Sequence, residues 1–161
     1  MSDSNQTPVI SLIIPIYNAE RYLAECLGSL ARQTFRDFEV IAVNDGSTDG
    51  SLALLRRMER QYSFLRVIDQ ENGGVSAARN NGMAAARGEY LGFVDADDYV
   101  APQYLERLYR TCVDNNAEIS CCYYYYKFEA PDFLWKYPFR CHGVFDRTQA
   151  MNKLLHDTQM Q

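Results

Sequence analysis

The sequence predicts an α/β fold, a mainly parallel sheet with helices on both faces. Short apolar runs rich in β-branched residues alternate with segments of helical periodicity through the first 115 residues, in the order β-α-β-α-β-α-β-α. Such an order joins parallel neighbours by right-handed crossovers. The 161 residues are 47% hydrophobic and 13% aromatic. A chain of this size removes about 70% of its unfolded surface from water on folding, so the core needs no disulfide or metal staple.

Val9 to Ile14 is the first strand, and Asn18 is placed to cap the helix behind it, whose apolar stripe is Tyr22, Leu23, Cys26, Leu27 and Leu30. Glu39 to Val43 forms the second strand. Ser47 is placed to cap a helix carrying Leu52, Leu55, Met58 and Tyr62, with Asp49 near its positive end. Leu65 to Ile68 is a third strand, and Gly73-Gly74 turns the chain into a helix of small residues, Ala77, Ala78, Gly82, Ala85 and Ala86. Tyr90 to Val94 is the fourth strand, and Pro102 opens a helix with Leu105, Leu108, Tyr109 and Cys112 on one face.

Beyond Asn116 the pattern changes. Ile119 to Phe128 reads as a β run holding Tyr123 to Tyr126; Pro131 and Pro138 interrupt, Gly143 to Phe145 reads as a further short strand, and Arg147 to about Leu155 as a helix. The tyrosines fit an alternating half-buried strand, which aromatics favour whatever the ligand, ahead of a platform for stacking sugar or base rings. The chain thus divides into a disordered tail over residues 1–8, a core over 9–116 and a second region over 117–161.

A formal net charge of −5, with only three Lys, argues against a duplex nucleic-acid binder, which needs a basic face to neutralise phosphates. The excess is localised. Residues 1–100 hold 14 acids against 9 bases, whereas residues 101–161 hold 7 of each, so acids in the first part are candidates to hold a cation. The five Cys (Cys26, Cys112, Cys121, Cys122, Cys141) have no CxxC or Cys/His spacing, which points to free thiols in a reducing compartment. Met1 to Pro8 lacks the features of a secretory signal, and the apolar runs are far shorter than the ~20 residues that span a bilayer.

In an open parallel sheet, ligands sit beyond the carboxyl ends of the strands where strand order reverses. Four segments qualify: 15–20, 44–49, 69–74 and 95–98. The first reads Pro15-Ile16-Tyr17-Asn18-Ala19-Glu20. It has neither the glycines of a dinucleotide fingerprint nor the Lys of a Walker loop, and it carries an acid that would repel an anion. A diphosphate bound here needs its charge neutralised by something else. Asp95-Ala96-Asp97-Asp98 is the candidate, because hard carboxylate oxygens at a strand end suit Mg²⁺ or Mn²⁺ held jointly with substrate phosphates. Asp98 also fits a loop-starting role toward Pro102. Asp45 either forms a turn with Gly46 or accepts from the N–H of a base or a ribose hydroxyl. A helix-start role accounts for Asp49. Arg79, one turn into its helix, is either a surface residue or a positive group reaching toward a diphosphate.

Five ordered blocks carry a resemblance. They are Val9 to Glu20; Gln33-Thr34-Phe35 through Phe38-Glu39; Val43-Asn-Asp-Gly-Ser-Thr-Asp49; Glu71-Asn-Gly-Gly-Val-Ser-Ala-Ala-Arg-Asn80; and Gly88-Glu-Tyr-Leu-Gly-Phe-Val-Asp-Ala-Asp-Asp98. Over residues 9 to about 115 the chain closely resembles the family 2 glycosyltransferases, inverting enzymes of GT-A fold that transfer a sugar from a nucleotide-diphosphate donor. The resemblance implies that Pro15, Tyr17 and Glu20 line the nucleoside pocket and that Asp45 meets the base, usually uracil. It implies that Arg79 lies near the nucleotide phosphates. Asp95, with Ala96 beside it, would contact the ribose or donor, and Asp97 would coordinate Mn²⁺ or Mg²⁺ as the last Asp of the DxD motif. The implied partners are a UDP-sugar and a saccharide or lipid-linked saccharide acceptor in cell-surface polysaccharide synthesis. The implied location is the cytoplasm, including the cytoplasmic face of the membrane, reached through parts other than these residues.

Such a reaction needs a carboxylate base to deprotonate the acceptor. The family's base signature finds no match here: Glu118, Glu129, Asp132 and Asp146 lack its context, and His142 and His156 are isolated. Two readings follow, a metal-assisted glycosyltransferase or a nucleotide-sugar binding fragment without turnover. Nucleotidyl transfer would want basic clusters around a triphosphate, which the early loops lack. The length is short for a whole GT-A enzyme, so the expectation is the front portion of a longer one.

Overall fold

The computed structural model describes residues 7–128, 133–136 and 143–150. Its elements run β1 (Ile10–Ile16), α1 (Glu20–Ala31), β2 (Phe38–Asp45), α2 (Ser51–Gln61), β3 (Leu65–Gln70), α3 (Val75–Ala85), β4 (Tyr90–Phe93), α4 (Tyr104–Asn115), β5 (Tyr125–Phe128) and β6 (Phe133–Lys136). The first four strands pair in parallel in the order β3-β2-β1-β4. The α/β parallel sheet expected from the sequence is the fold. Strands β2 and β3 run two residues further than their apolar runs, because Asn44 pairs with Asp69 and Asp45 with Gln70 in the ladder.

β2 is buried along its whole length, and β1 is so except at Pro15, as parallel strands covered on both faces must be. One face is closed by α3. Ala78 packs with Ile41 and Val43, and Ile68, Ala85 and Ala86 lie around them. Gly82 allows this close seating, since a Cβ there would come within 2.5 Å of Ile13 and 3.3 Å of Val43. By strand alternation Leu12, Ile14, Val40 and Ala42 face the other way, and they too are fully buried. On α1, Leu23, Cys26, Leu27 and Leu30 are buried.

The chain divides into two compact units, Met1–Glu106 and Arg107–Gln161. In the second, Asn116 adopts a left-handed conformation (φ 48°) after α4, and Ser120 Oγ donates to the Leu108 carbonyl at 3.0 Å. β5 and β6 form an antiparallel pair in which Tyr125 faces Lys136.

Several local expectations need correction. α1 begins behind Ala19 and α2 behind Gly50, neither with a side-chain cap, so Asn18 and Ser47 are not the caps expected of them. Residues 143–146 form no strand, and β5 starts at Tyr125 rather than Ile119. Tyr124, Tyr125 and Tyr126 are all exposed rather than alternating; among the described residues no second layer covers a face of the two-stranded pair. Residues 147–150 are helical, and the remainder of that expected helix, residues 1–6 of the expected tail, Glu129, Asp132, His142 and His156 lie outside the described residues. The cysteines among the described residues are free thiols. Among the described residues no helix is long and apolar enough to cross a membrane.

Candidate functional site

Strand order reverses at β1: β2 and β3 lie on one side of it and β4 on the other. That places the crevice beyond the carboxyl ends of β1 and β4, and a pocket of about 400 Å³ opens there. One wall is Pro15, Tyr17, Asn18, Ala19 and Tyr22, from the end of β1 and the start of α1. The opposite wall is Val75 and Arg79 of α3, with Asp95, Ala96 and Asp97 of the loop after β4.

The first wall is held by reciprocal contacts between the loops after β1 and β2. Asn18 takes a left-handed conformation (φ 51°), and its Oδ1 accepts from the Thr48 N–H at 2.8 Å. The N–H groups of Asn18, Ala19 and Glu20 donate to Ser47 Oγ, Ser51 Oγ and Asp49 Oδ2 at 3.0, 2.9 and 3.2 Å. Glu20 returns the contact by accepting from the Gly50 N–H at 2.9 Å. Each loop thus satisfies the orphan donors at the other's helix start. Asp49 also accepts from the Ser51 N–H at 2.9 Å, and hydrogen bonding by the Ser51 side chain first, then by the Ser51 and Glu20 N–H groups, holds its carboxyl below the usual range. Tyr17, with no such duty, leaves its ring 55% exposed at the pocket.

Asp45 is buried, and its carboxylate takes up donors from the turn before α3: Gln70 Nε2 at 2.8 Å, the Gly73 N–H at 2.8 Å and the Gly74 N–H at 2.9 Å. Gly74 needs no Cβ penalty at φ 85°. This turn aims α3 so that Arg79 Nη2 donates to Asp95 Oδ1 at 2.8 Å along the pocket wall.

Asp95 to Asp98 form a tight turn in which the Asp98 N–H donates to the Asp95 carbonyl at 3.0 Å. Partial burial, then the charges of Asp97 and Asp95, push the Asp98 carboxyl above the usual range. Asp97 is exposed at the pocket wall, and among the described residues no hydrogen bond or ion pair engages its carboxylate. A free carboxylate in an acid-rich turn fits a hard cation. Among the described residues no three acids, Cys or His converge into a ready-made cage, so a cation here would need most of its oxygens from a ligand.

Of the residues singled out in the sequence, the pocket lining gathers Pro15, Tyr17, Arg79, Asp95, Ala96 and Asp97, while Glu20 and Asp45 bond to the adjoining loops at Gly50 and Gly73. Tyr22 and Val75 join the lining, 47% and 51% exposed. Helical periodicity alone puts Tyr22 in the apolar stripe of α1. Its place one turn after Asn18, at the end of the helix nearest the crevice, is the signal that could have found it. Aromatic rings, one guanidinium and two carboxylates suit a ligand with a flat ring at one end and an anionic, polyhydroxylated part at the other.

The chain is 46% identical over 118 residues to the uncharacterized glycosyltransferase EpsJ of Bacillus subtilis, covering 73% of this chain and 34% of EpsJ. Among solved structures it resembles S. aureus TarS 1-349 in complex with UDP-GlcNAc, with a TM-score of 0.60 and 37% identity over 66% of this chain and 31% of that one. It also resembles the mannosyltransferase PcManGT from Pyrobaculum calidifontis in complex with GDP-Man and Mn²⁺, with a TM-score of 0.54 and 28% identity over 59% of this chain and 29% of that one. It therefore spans about a third of the length of these relatives. The model of glycosyl transferase family 2 matches residues 11–160. With that match laid over the sheet and its pocket, the chain belongs to glycosyl transferase family 2.

Proposed function

We propose that this chain binds the nucleotide-diphosphate sugar donor, a UDP-sugar, of an inverting, metal-assisted glycosyl transfer to a saccharide acceptor in cell-surface glycan synthesis. The observation that carries the reading is the pocket at the strand-order reversal, where Tyr17, Arg79, Asp95 and Asp97 meet. Support comes from TarS and PcManGT, each in complex with a nucleotide sugar.

In this reading Pro15 and Tyr17 hold the nucleoside by apolar and ring contact. Arg79, already directed into the pocket by Asp95, offers its remaining donors to the diphosphate. Asp95 accepts from a ribose or donor hydroxyl, and Asp97 is the ligand for Mn²⁺ or Mg²⁺. Such a metal, when bound, offsets charge on the leaving diphosphate. Glu20 and Asp45 complete the nucleoside side, Asp45 toward the base, and they also set the start of α2 and the turn before α3.

Inversion requires a base on the sugar face opposite the diphosphate. Among the described residues lining the pocket, Asp95 and Asp97 are the carboxylates, and both belong to the donor side. The expected behaviour of the 161-residue chain is thus donor binding with absent or very slow transfer. Calorimetric titration with UDP, in Mn²⁺ and after chelation, tests this. Tighter binding in Mn²⁺ is expected. Equal affinity after chelation would overturn the metal assignment, preference for GDP the uridine assignment, and rapid sugar transfer the absence of a base.

A further inference from the structure

The end of α1 carries buried polar groups that no part of the donor reading uses. Cys26 and Ser29, one turn apart on the helix, and Gln33, two residues beyond its last residue Ala31, are each at most 1% exposed. Polar groups this deeply buried need partners, and theirs are the backbone of the segment that follows β4. Cys26 Sγ lies 3.8 Å from the Asp95 carbonyl. Ser29 Oγ accepts from the Val100 N–H at 3.1 Å while donating to the Cys26 carbonyl at 2.7 Å. The Gln33 amide makes two long-range bonds, donating from Nε2 to the Ala101 carbonyl at 2.8 Å and accepting at Oε1 from the Leu105 N–H at 3.0 Å. The neighbouring Thr34 N–H donates to the Pro102 carbonyl at 2.8 Å.

The segment so gripped begins with the carboxylates of Asp95, Asp97 and Asp98. These repel one another; Arg79 holds the Asp95 carboxylate, whereas the position of Asp97 depends on the hydrogen bond of the turn and on the attachments on either side. β4 fixes the upstream end. Gln33 and Ser29 fix the downstream end, at residues 100–105. Gln33 suits this task because one planar amide both donates and accepts in fixed geometry. A carboxylate could not donate, and an aliphatic side chain could do neither.

We infer that Gln33 and Ser29 are positioning residues for Asp97: they pin the downstream end of the acidic loop and so hold its carboxylate for the donor-bound cation. The inference rests on the metal-assisted donor reading above. Ser29→Ala removes one acceptor with almost no change of volume, and Gln33→Met removes both contacts to residues 101–105, together with the local bond to the Ser29 carbonyl, at similar size. Gln33→Glu keeps the acceptor toward Leu105 and loses the donor toward Ala101.

The test uses UDP with Mn²⁺ as the probe, and amide hydrogen exchange of the folded 161-residue chain as an independent readout. In Ser29→Ala and Gln33→Met, Mn²⁺-dependent UDP affinity is expected to fall about tenfold or more, the effect typical of losing a group that orients a metal ligand. UDP affinity after chelation stays at the wild-type value. Exchange at residues 95–105 quickens while that of β1 and β2 is unchanged, and Gln33→Glu falls between wild type and Gln33→Met. A merely structural role would lower the melting temperature and leave the ratio of affinities with and without Mn²⁺ unmoved; that result overturns the inference. Wild-type exchange rates at residues 95–105 in both variants overturn it as well, whatever the metal does. A wild-type chain whose UDP binding ignores Mn²⁺ instead overturns the metal reading, and is told apart by failing before any substitution is made.

Discussion

Asp45 and Asp97 are both acids at the carboxyl end of a strand, and their surroundings separate them. Asp45 is buried and accepts from three donors of the turn before α3, whereas Asp97 is exposed with its carboxylate unengaged among the described residues. Asp97→Ala is therefore expected to abolish the Mn²⁺-dependent gain in UDP affinity and leave the melting temperature unchanged; a calorimetric titration paired with a thermal melt checks both halves. Asp45→Asn has the opposite profile. Its amide cannot accept from all three donors, so a loss of about 1–3 kcal/mol is expected by urea denaturation, the cost of unsatisfied buried groups. An Asp-Gly pair announces a turn or a ligand contact equally well. The choice depends on Gln70, Gly73 and Gly74, which stand 25 to 29 residues away.

α3 shows what an element adds. Its run of Ala and Gly reads as a closely packed helix, and the structure seats it against Ile13 and Val43. Gly82→Ala forces a methyl group into that contact, and overpacking of this kind costs about 1–3 kcal/mol. The melting temperature should drop, and UDP affinity should fall with it because Arg79 rides on the same helix; an unchanged melt would mean the sheet yields there. The starts of α1 and α2 depend on contacts beyond the element, since neither has a side-chain cap. Asn18 and Ser47 are good capping residues by type, yet the loops after β1 and β2 satisfy each other's donors across a gap of about thirty residues. Local preference cannot reveal a partner supplied by another strand end.

Across the molecule, the two ends of the parallel sheet do different work. The carboxyl end holds the pocket. At the amino end, Ser11 and Glu39 are paired in the ladder, Ser11 Oγ donates to Glu39 Oε1 at 2.7 Å, and Arg87 Nη2 donates to Glu39 Oε2 at 2.7 Å. Burial alone would raise the Glu39 carboxyl, but the hydrogen bonds from Arg87 and Ser11 outweigh it and the net shift is downward. The folded state then binds this proton less readily than the unfolded chain. The stabilisation is complete above the unfolded carboxyl value of about 4.3 and is lost as pH falls through the lower folded value. Glu39→Gln should be less stable than wild type by about 1–3 kcal/mol at neutral pH, and denaturation curves should show the gap narrowing below about pH 4. A gap undiminished at about pH 2.5, below the usual carboxyl range, would refute the assignment. What the sequence by itself determined was the alternation of strands and helices, the parallel sheet, and the rim segments holding Tyr17, Asp95 and Asp97, because apolar periodicity and strand ends are local properties of the chain. Only the tertiary structure decided that β4 lies on the far side of β1, which residues line the pocket, and that Ser29 and Gln33 grip the segment after the acidic turn. Each of those depends on hydrogen bonds and packing between segments distant in sequence, whose partners exist only once the sheet is assembled.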